Sequence, residues 1–450
     1  MKRKLLSIIA LVFCVALLLT GCATVGSVTD LNGNSVYFNE AIYFGGHVAE
    51  IGDYVYYGNS YVSTSSEGFS YKKAAKVGYL SRIATNENFT FDQDAKLENI
   101  PHTSPSEIET VIGKKLVGYE NQAMYALGKY LYFTSANVHK TDAMENDYTQ
   151  VSLFRVKFNG SGLTEIATFK SDESSQITLQ KGSDDAYYFI AFAPKDDSHA
   201  IYSVKVGSGV GKVQTLVEKV ESVAIADENS TQKTVIYTVD SGKDFKTTSV
   251  KAVDFATGKI YDLDDGVSGS TTTLIDRVGD RVFYSYTNPD NKVQEVYSKE
   301  INEENTNFSP TSKFYNATTI KNIQSANEGY IFQTEGGALV YKTLSGEEKL
   351  LMSASDLSNV LFVRNDYVYT SNSSSISRVS LVDYSTEKIV SGVTMISGEC
   401  GYADGYVYFY AQLGELQLDE GEEAEEDENY YMYRADSLGN LQLIGKTAKK

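Results

Sequence analysis

Asp404-Gly405-Tyr406-Val407-Tyr408-Phe409 reads as a tight turn feeding a strand. Aspartate and glycine tolerate the left-handed backbone of a hairpin entry. The residues after them are aromatic or β-branched and suit a pleated surface. The theme recurs as Gly52-Asp53-Tyr54-Val55-Tyr56-Tyr57 and Gly128-Lys129-Tyr130-Leu131-Tyr132-Phe133. It returns as Gly279-Asp280-Arg281-Val282-Phe283-Tyr284, Glu328-Gly329-Tyr330-Ile331-Phe332 and Asn365-Asp366-Tyr367-Val368-Tyr369. Weaker copies, Asp185-Ala186-Tyr187-Tyr188-Phe189 and Thr234-Val235-Ile236-Tyr237, fill the middle.

A second strand follows each opening, as in Leu153-Phe154-Arg155-Val156, Ile201-Tyr202-Ser203-Val204, Leu339-Val340-Tyr341-Lys342 and Tyr431-Met432-Tyr433-Arg434. Glycine-bearing hairpins come next (Asn159-Gly160-Ser161-Gly162, Ser345-Gly346-Glu347, Leu438-Gly439-Asn440), then a third strand such as Leu163-Thr164-Glu165-Ile166 or Leu441-Gln442-Leu443-Ile444. The period is about 40 to 50 residues, the range of propeller blades. A sheet of three or four strands cannot cover both of its faces, and packing such sheets around an axis does so. The chain therefore reads as all-β, a β-propeller of seven or eight blades, each a three- to four-stranded antiparallel sheet, over residues 45–447. Two β-sandwiches or a β-solenoid fit the period less well. The first interval is long, so an insertion is expected near 86–124, with Ser104-Pro105-Ser106-Glu107-Ile108-Glu109 suggesting a capped helical turn. Ser35-Val36-Tyr37-Phe38 is expected to add an outer strand to the last blade and close the ring.

Residues 1–21 carry an address. Lys2, Arg3 and Lys4 precede an apolar run from Leu5 to Leu19, too short to span a bilayer and of signal-peptide size. Leu19-Thr20-Gly21-Cys22 resembles the bacterial lipobox, which implies a diacylglyceryl thioether on Cys22, a mature chain beginning there, and residues 22–44 as tether. Two acyl chains suffice for stable anchoring. The expected location is the extracytoplasmic face of the cell membrane, held by lipid.

Loss of the three basic leader residues moves the formal net charge from −19 to −22, which disfavours nucleic acid and anionic lipid. Of three cysteines, Cys14 leaves with the leader, Cys22 takes lipid and Cys400 remains, so no disulfide is available to the mature chain. His47, His102, His139 and His199 show no metal-ligand spacing. No nucleophile elbow or phosphate loop appears, and nothing calls for a cofactor. The chain has no Trp, which sialidase-like and quinoprotein propellers require. Asp262-Leu263-Asp264-Asp265-Gly266 lacks the spacing of a calcium loop and reads as a solvated hairpin. One acidic run, Asp419, Glu420, Glu422, Glu423, Glu425, Glu426, Asp427 and Glu428, lies between strands of the last unit and is the candidate loop for a cation or a basic partner.

The Asp-Gly-Tyr-Val-Tyr-Phe opening, the Tyr-Arg second strand and the glycine hairpin together resemble bacterial surface lipoproteins of unknown function, whose propeller is similar to that of the low-density lipoprotein receptor. The resemblance implies a fold and a location. With no catalytic or metal constellation assembled, the expected role is a non-catalytic binding or scaffold protein for an envelope protein or polymer. The alternative is a hydrolase of envelope polysaccharide or peptide using carboxylates in the propeller channel.

Overall fold

A computed structural model describes residues 35–44, 48–58, 60–61, 80–85, 108–110, 124–137, 149–172, 174–225, 230–231, 233–242, 247–301, 313–357, 359–372, 374–391, 394–395, 401–412 and 430–444. Strands in them form eight antiparallel sheets, running in order through 48–110, 124–171, 176–220, 222–264, 271–315, 320–352, 359–391 and 394–443. These are blades 1 to 8 of a β-propeller.

The packing proves the ring. Among the described residues eight buried apolar clusters occur, and each joins one blade to the next. An open arc of eight sheets would have seven such seams. The eighth places Val48, Val55 and Tyr57 of blade 1 against Tyr408, Tyr410 and Met432 of blade 8. Tyr57 donates its hydroxyl to the Ile444 carbonyl at 3.0 Å, and Tyr410 donates to the Gly58 carbonyl at 2.8 Å. Backbone pairing of Ser60–Tyr61 with Tyr430–Tyr431 adds a short clasp across the same seam.

Two buried faces explain the aromatic runs. In the second strand of blade 3, Tyr187–Lys195, the residues Phe189, Ala191 and Ala193 pack toward blade 2. Their neighbours Tyr188, Ile190 and Phe192 pack toward blade 4. A strand dry on both sides reads as a continuous apolar run, which is how every such opening reads.

The openings are the second strands of the blades. An inner strand precedes each one, a strand the periodicity does not announce. Inner strands carry bulges, at Leu274/Asp276, Lys321/Gln324 and Val360/Phe362. Each bulge breaks the period-two alternation that marks a strand in sequence. The turns into the second strands have the expected backbone: Asn365 and Asp366 have φ of 49° and 63°, Asp404 and Gly405 of 49° and 80°. Two successive positive φ values match a type I′ hairpin.

Two expectations change. Ile108–Thr110, inside the stretch expected as an insertion with a helical turn, is the outer strand of blade 1 and pairs with Ser81–Ile83. The segment expected to complete the last blade instead leads into Phe38–Tyr43, which pairs with Met124–Gly128, the inner strand of blade 2. Inner strands of neighbouring blades approach one another around the axis, so this extra strand lies on the channel side of blade 2, beside the inner strand of blade 3. An eight-bladed ring leaves a wide opening, and the chain's own N-terminal strand takes part of it.

Candidate functional site

The fold creates two rims. One holds the turns between inner and second strands together with the turns between third and outer strands. Backbone hydrogen bonds tie them: Thr85 to Asp53, Phe158 to Lys129, Ile301 to Asp280, Leu344 to Glu328 and Leu381 to Asp366, each N–H donating to the carbonyl across the rim. The N-terminal strand starts at this rim, since Phe38 pairs with Gly128, and runs down the channel toward the other. Its ends are packed, with Phe38 edge-on to Phe158 at 5.8 Å and Tyr43 against Tyr125 at 5.1 Å. Asn39, Glu40, Ile42 and Tyr43 remain exposed, so the strand's other side faces the open part of the channel.

Charged residues with the look of a site are structural where they are described. In blades 1, 2, 7 and 8 the second strand carries Tyr-x-Tyr, and the third strand places an arginine opposite the later tyrosine. In blade 1 Arg82 faces Tyr56 and lies over Tyr54 at 3.8 Å. Arg155 over Tyr130 (4.6 Å), Arg378 over Tyr367 (4.7 Å) and Arg434 over Tyr406 (4.7 Å) repeat the device in blades 2, 7 and 8. A guanidinium over a ring face is attracted by the ring quadrupole. In blades 1 and 2 the pair also ties one blade to the next: Arg82 Nη1 donates to Tyr56 Oη (3.1 Å), that hydroxyl donates to the Phe158 carbonyl (2.7 Å) in blade 2, and Arg155 Nη1 donates to the Gly207 carbonyl (3.2 Å) in blade 3. Arg378 and Arg434 hold Glu387 and Gln442 of their own blades. The tyrosine–arginine pair is thus a joint in blades 1 and 2 and a brace within blades 7 and 8.

His199 is the one histidine among the described residues; His47, His102 and His139 lie outside them. Its Nε2 meets Asp172 Oδ2 at 2.7 Å and Ser174 Oγ at 3.0 Å. Sequence reading missed this trio, which converges across 27 positions. It is no nucleophilic triad: serine and carboxylate share one ring nitrogen, whereas a base must face each through a different one. Asp172 instead accepts from Ser174 N, Ser174 Oγ and Ser175 Oγ and shapes the turn into blade 3. Partial burial pushes its carboxyl up, but the hydrogen bonds from His199, Ser174 and Ser175 outweigh this and hold it below its usual value of 3.8. Its contribution to stability is therefore complete above the unfolded value and is lost as pH falls through the lower folded one. Asp172→Ala should cost about 1–2 kcal/mol at pH 7. In urea melts that cost should shrink toward zero as the pH is taken below 3.

The Asp262–Gly266 stretch closes blade 4. Lys251 Nζ holds Asp262 at 2.7 Å, Asp264 Oδ1 accepts from Gly266 N at 2.8 Å, and the Asp265 carbonyl accepts from Ser249 Oγ at 3.3 Å. Gly266 has φ of 75°, and a Cβ there would sit 2.3 Å from the Thr248 carbonyl oxygen, which explains the glycine. Among the described residues no group of three or more His, Cys, Asp or Glu converges as metal ligands would. Cys22, Cys400 and the acidic residues 419–428 lie outside the described residues.

One cleft of about 340 Å³ opens at the seam of blades 2 and 3. Phe169, Pro194, Tyr202 and Val213 line its apolar part, with Phe169 and Tyr202 in ring contact at 5.3 Å. Lys170 and Lys195 stand at its edge, Lys195 paired with Glu218. Such a wall suits a flat apolar group carrying a polar end.

No family model and no curated protein matches the chain. Among solved structures it is similar to a puromycin hydrolase (TM-score 0.43, 11% identity, 72% of this chain and 53% of that one). It is similar also to an acylaminoacyl peptidase in complex with Z-Gly-Gly-Phe-chloromethyl ketone (0.40, 10%, 84% and 59%). A third is TolB from Acinetobacter baumannii (0.28, 7%, 65% and 61%). The chain spans little more than half the length of these structures. A likeness this distant carries no argument about activity.

Proposed function

We propose that the chain is a membrane-anchored, extracytoplasmic β-propeller lipoprotein that serves as a non-catalytic binding or scaffold protein at the cell envelope. The observation that carries the reading is the use made of the described ionisable groups. Arg155 and Arg277 reach across blade seams, Arg82 braces the Tyr56 hydroxyl that does the same, Asp280 clamps Ser230 and Thr231 of the neighbouring blade, and Asp172 with His199 holds a turn. Charge spent on joints gives a rigid frame, and a rigid frame positions loops for recognition. The lipobox supports the location, and the surface-lipoprotein resemblance agrees with it.

The test is chemical crosslinking in the intact envelope followed by isolation under varied salt and calcium. A partner at fixed stoichiometry is expected. Recovery of the propeller alone under all conditions, or turnover of envelope polysaccharide or peptide by the pure protein, would sink the reading. For the anchor, Cys22→Ala should leave the protein unprocessed or release it into the medium, scored by fractionation and intact mass. A processed variant still bound to membrane would reject the lipid.

A further inference from the structure

The three most exposed large apolar side chains among the described residues are Leu438 (79%), Val382 (76%) and Leu344 (70%). Single exposed apolar residues are ordinary on any protein. These three occupy equivalent places, the turns between third and outer strands of blades 8, 7 and 6. All three turns belong to the rim at which the N-terminal strand enters the channel. Tyr37, at that entry, is the fourth most exposed at 64%, its ring beside Gly128.

We infer that this rim lies against the lipid surface that anchors Cys22, with Leu344, Val382 and Leu438 entering the boundary between headgroups and acyl chains. The inference rests on the lipoprotein reading and adds to it an orientation and a second, non-covalent contact. Tether length supports the orientation. Sixteen positions from Cys22 to Phe38 reach at most about 55 Å when fully extended. To present the opposite rim, the tether must first cross about 20 Å of blade, four strands wide. It must then descend a strand height of about 25 Å, so that about four-fifths of the fully extended reach is consumed. The entry rim is the near one.

Charge indicates what kind of contact this is. Glu347, Asp383 and Asp436 flank the three tips, so Coulombic attraction to anionic lipid is absent and insertion is apolar. Weak insertion suffices, because the covalent lipid already holds the tips at high effective concentration. Docking is therefore tightest on zwitterionic lipid, and on anionic lipid it strengthens as salt screens the repulsion.

Full-length lipidated protein carrying Cys400→Ser accepts one nitroxide label beside a tip, at Ser345→Cys or Ser437→Cys. Control labels go on the opposite rim, at Gly336→Cys or Ser374→Cys. Vesicles are phosphatidylcholine, with or without phosphatidylglycerol, and collision with oxygen is compared with collision with a water-soluble nickel chelate. The tip labels should gain oxygen contact several-fold over the controls on phosphatidylcholine. They should lose part of that gain with phosphatidylglycerol and recover it in salt. The triple variant L344S/V382S/L438S should abolish the gain while keeping the propeller's circular dichroism. Tip labels that stay aqueous on protein whose mass shows lipid at Cys22 would overturn the orientation alone. Labels aqueous on vesicles but shielded in native envelope would identify a protein occupant and overturn it too. Absence of the lipid mass would overturn the lipoprotein reading and this inference with it.

Discussion

As the pH is raised past 10, the protein should unfold in one cooperative step, and most of its buried tyrosines should ionise only then. Burial pushes the Tyr237 and Tyr408 hydroxyls from an ordinary value of 10.0 up to about 12. Asp262 adds to the rise at Tyr237, whereas Arg434 opposes it at Tyr408 without reversing it. Burial pushes Tyr57 and Tyr284 up as well. An unfolded chain loses these protons near pH 10, while the folded chain keeps them. The stabilising contribution is thus whole below pH 10 and falls steadily as pH rises toward the folded values. A rise from 10 to about 12 is worth about 3 kcal/mol at Tyr408, and less at Tyr237, whose hydroxyl lies nearer the surface and is partly screened by solvent. Even the Tyr408 contribution alone is a sizeable part of a total stability of about 5–15 kcal/mol. Tyrosinate absorbance and circular dichroism recorded together make the measurement. Exposed tyrosines should ionise first with the dichroism unchanged, and a second absorbance step should coincide with its loss. A single smooth titration to completion, with strand signal intact, would show that the seams do not hold these hydroxyls dry.

Tyr57→Ala should be among the most damaging single substitutions, at about 3–5 kcal/mol in urea unfolding. Tyr57 is fully buried at the seam between blade 1 and blade 8. Truncation empties that seam and removes the donor to the Ile444 carbonyl. Among the described residues no shared main strand crosses the closure, which rests there on side-chain packing, two tyrosine hydroxyls, the Ser60–Tyr61 clasp and the Glu50 carboxylate that accepts from Asp404 N. Tyr57→Phe isolates the hydroxyl and should cost about 1–2 kcal/mol. Tyr237→Ala, in the blade 3–blade 4 seam, should lose a comparable amount yet unfold in one transition. Opening the closure instead lets blades 1 and 8 fray, so Tyr57→Ala should also lower the urea m-value. An unchanged m-value would mean that the ring closes by something other than this seam.

The openings at Tyr54, Tyr130, Tyr187, Thr234, Arg281, Tyr330, Tyr367 and Tyr406 could be read in the sequence because their chemistry is local. A positive φ favours Gly, Asn or Asp within the turn, and a strand buried on both sides favours an unbroken apolar run. The inner strands of blades 5, 6 and 7 could not be read because bulges erase their alternation, and those of blades 1, 4 and 8 are too short, at two to four residues, to show any. Nor could the cluster of Asp172, Ser174 and His199 be found, because His199 comes to that turn from a strand 27 positions from Asp172. The Tyr-Arg pairing was visible as a motif, but its role as a joint or a brace depends on strand register.

By itself, then, the sequence determined the repeating unit and narrowed the ring to seven or eight blades, since each opening is encoded within a few residues of its turn. Only the tertiary structure decided where the N-terminal strand lies, which tyrosines close the circle, and which turns share a rim. Those outcomes depend on small twists and tilts accumulated over eight successive sheets. That sum brings Tyr57 against Ile444, 387 positions away, and no local pattern records it.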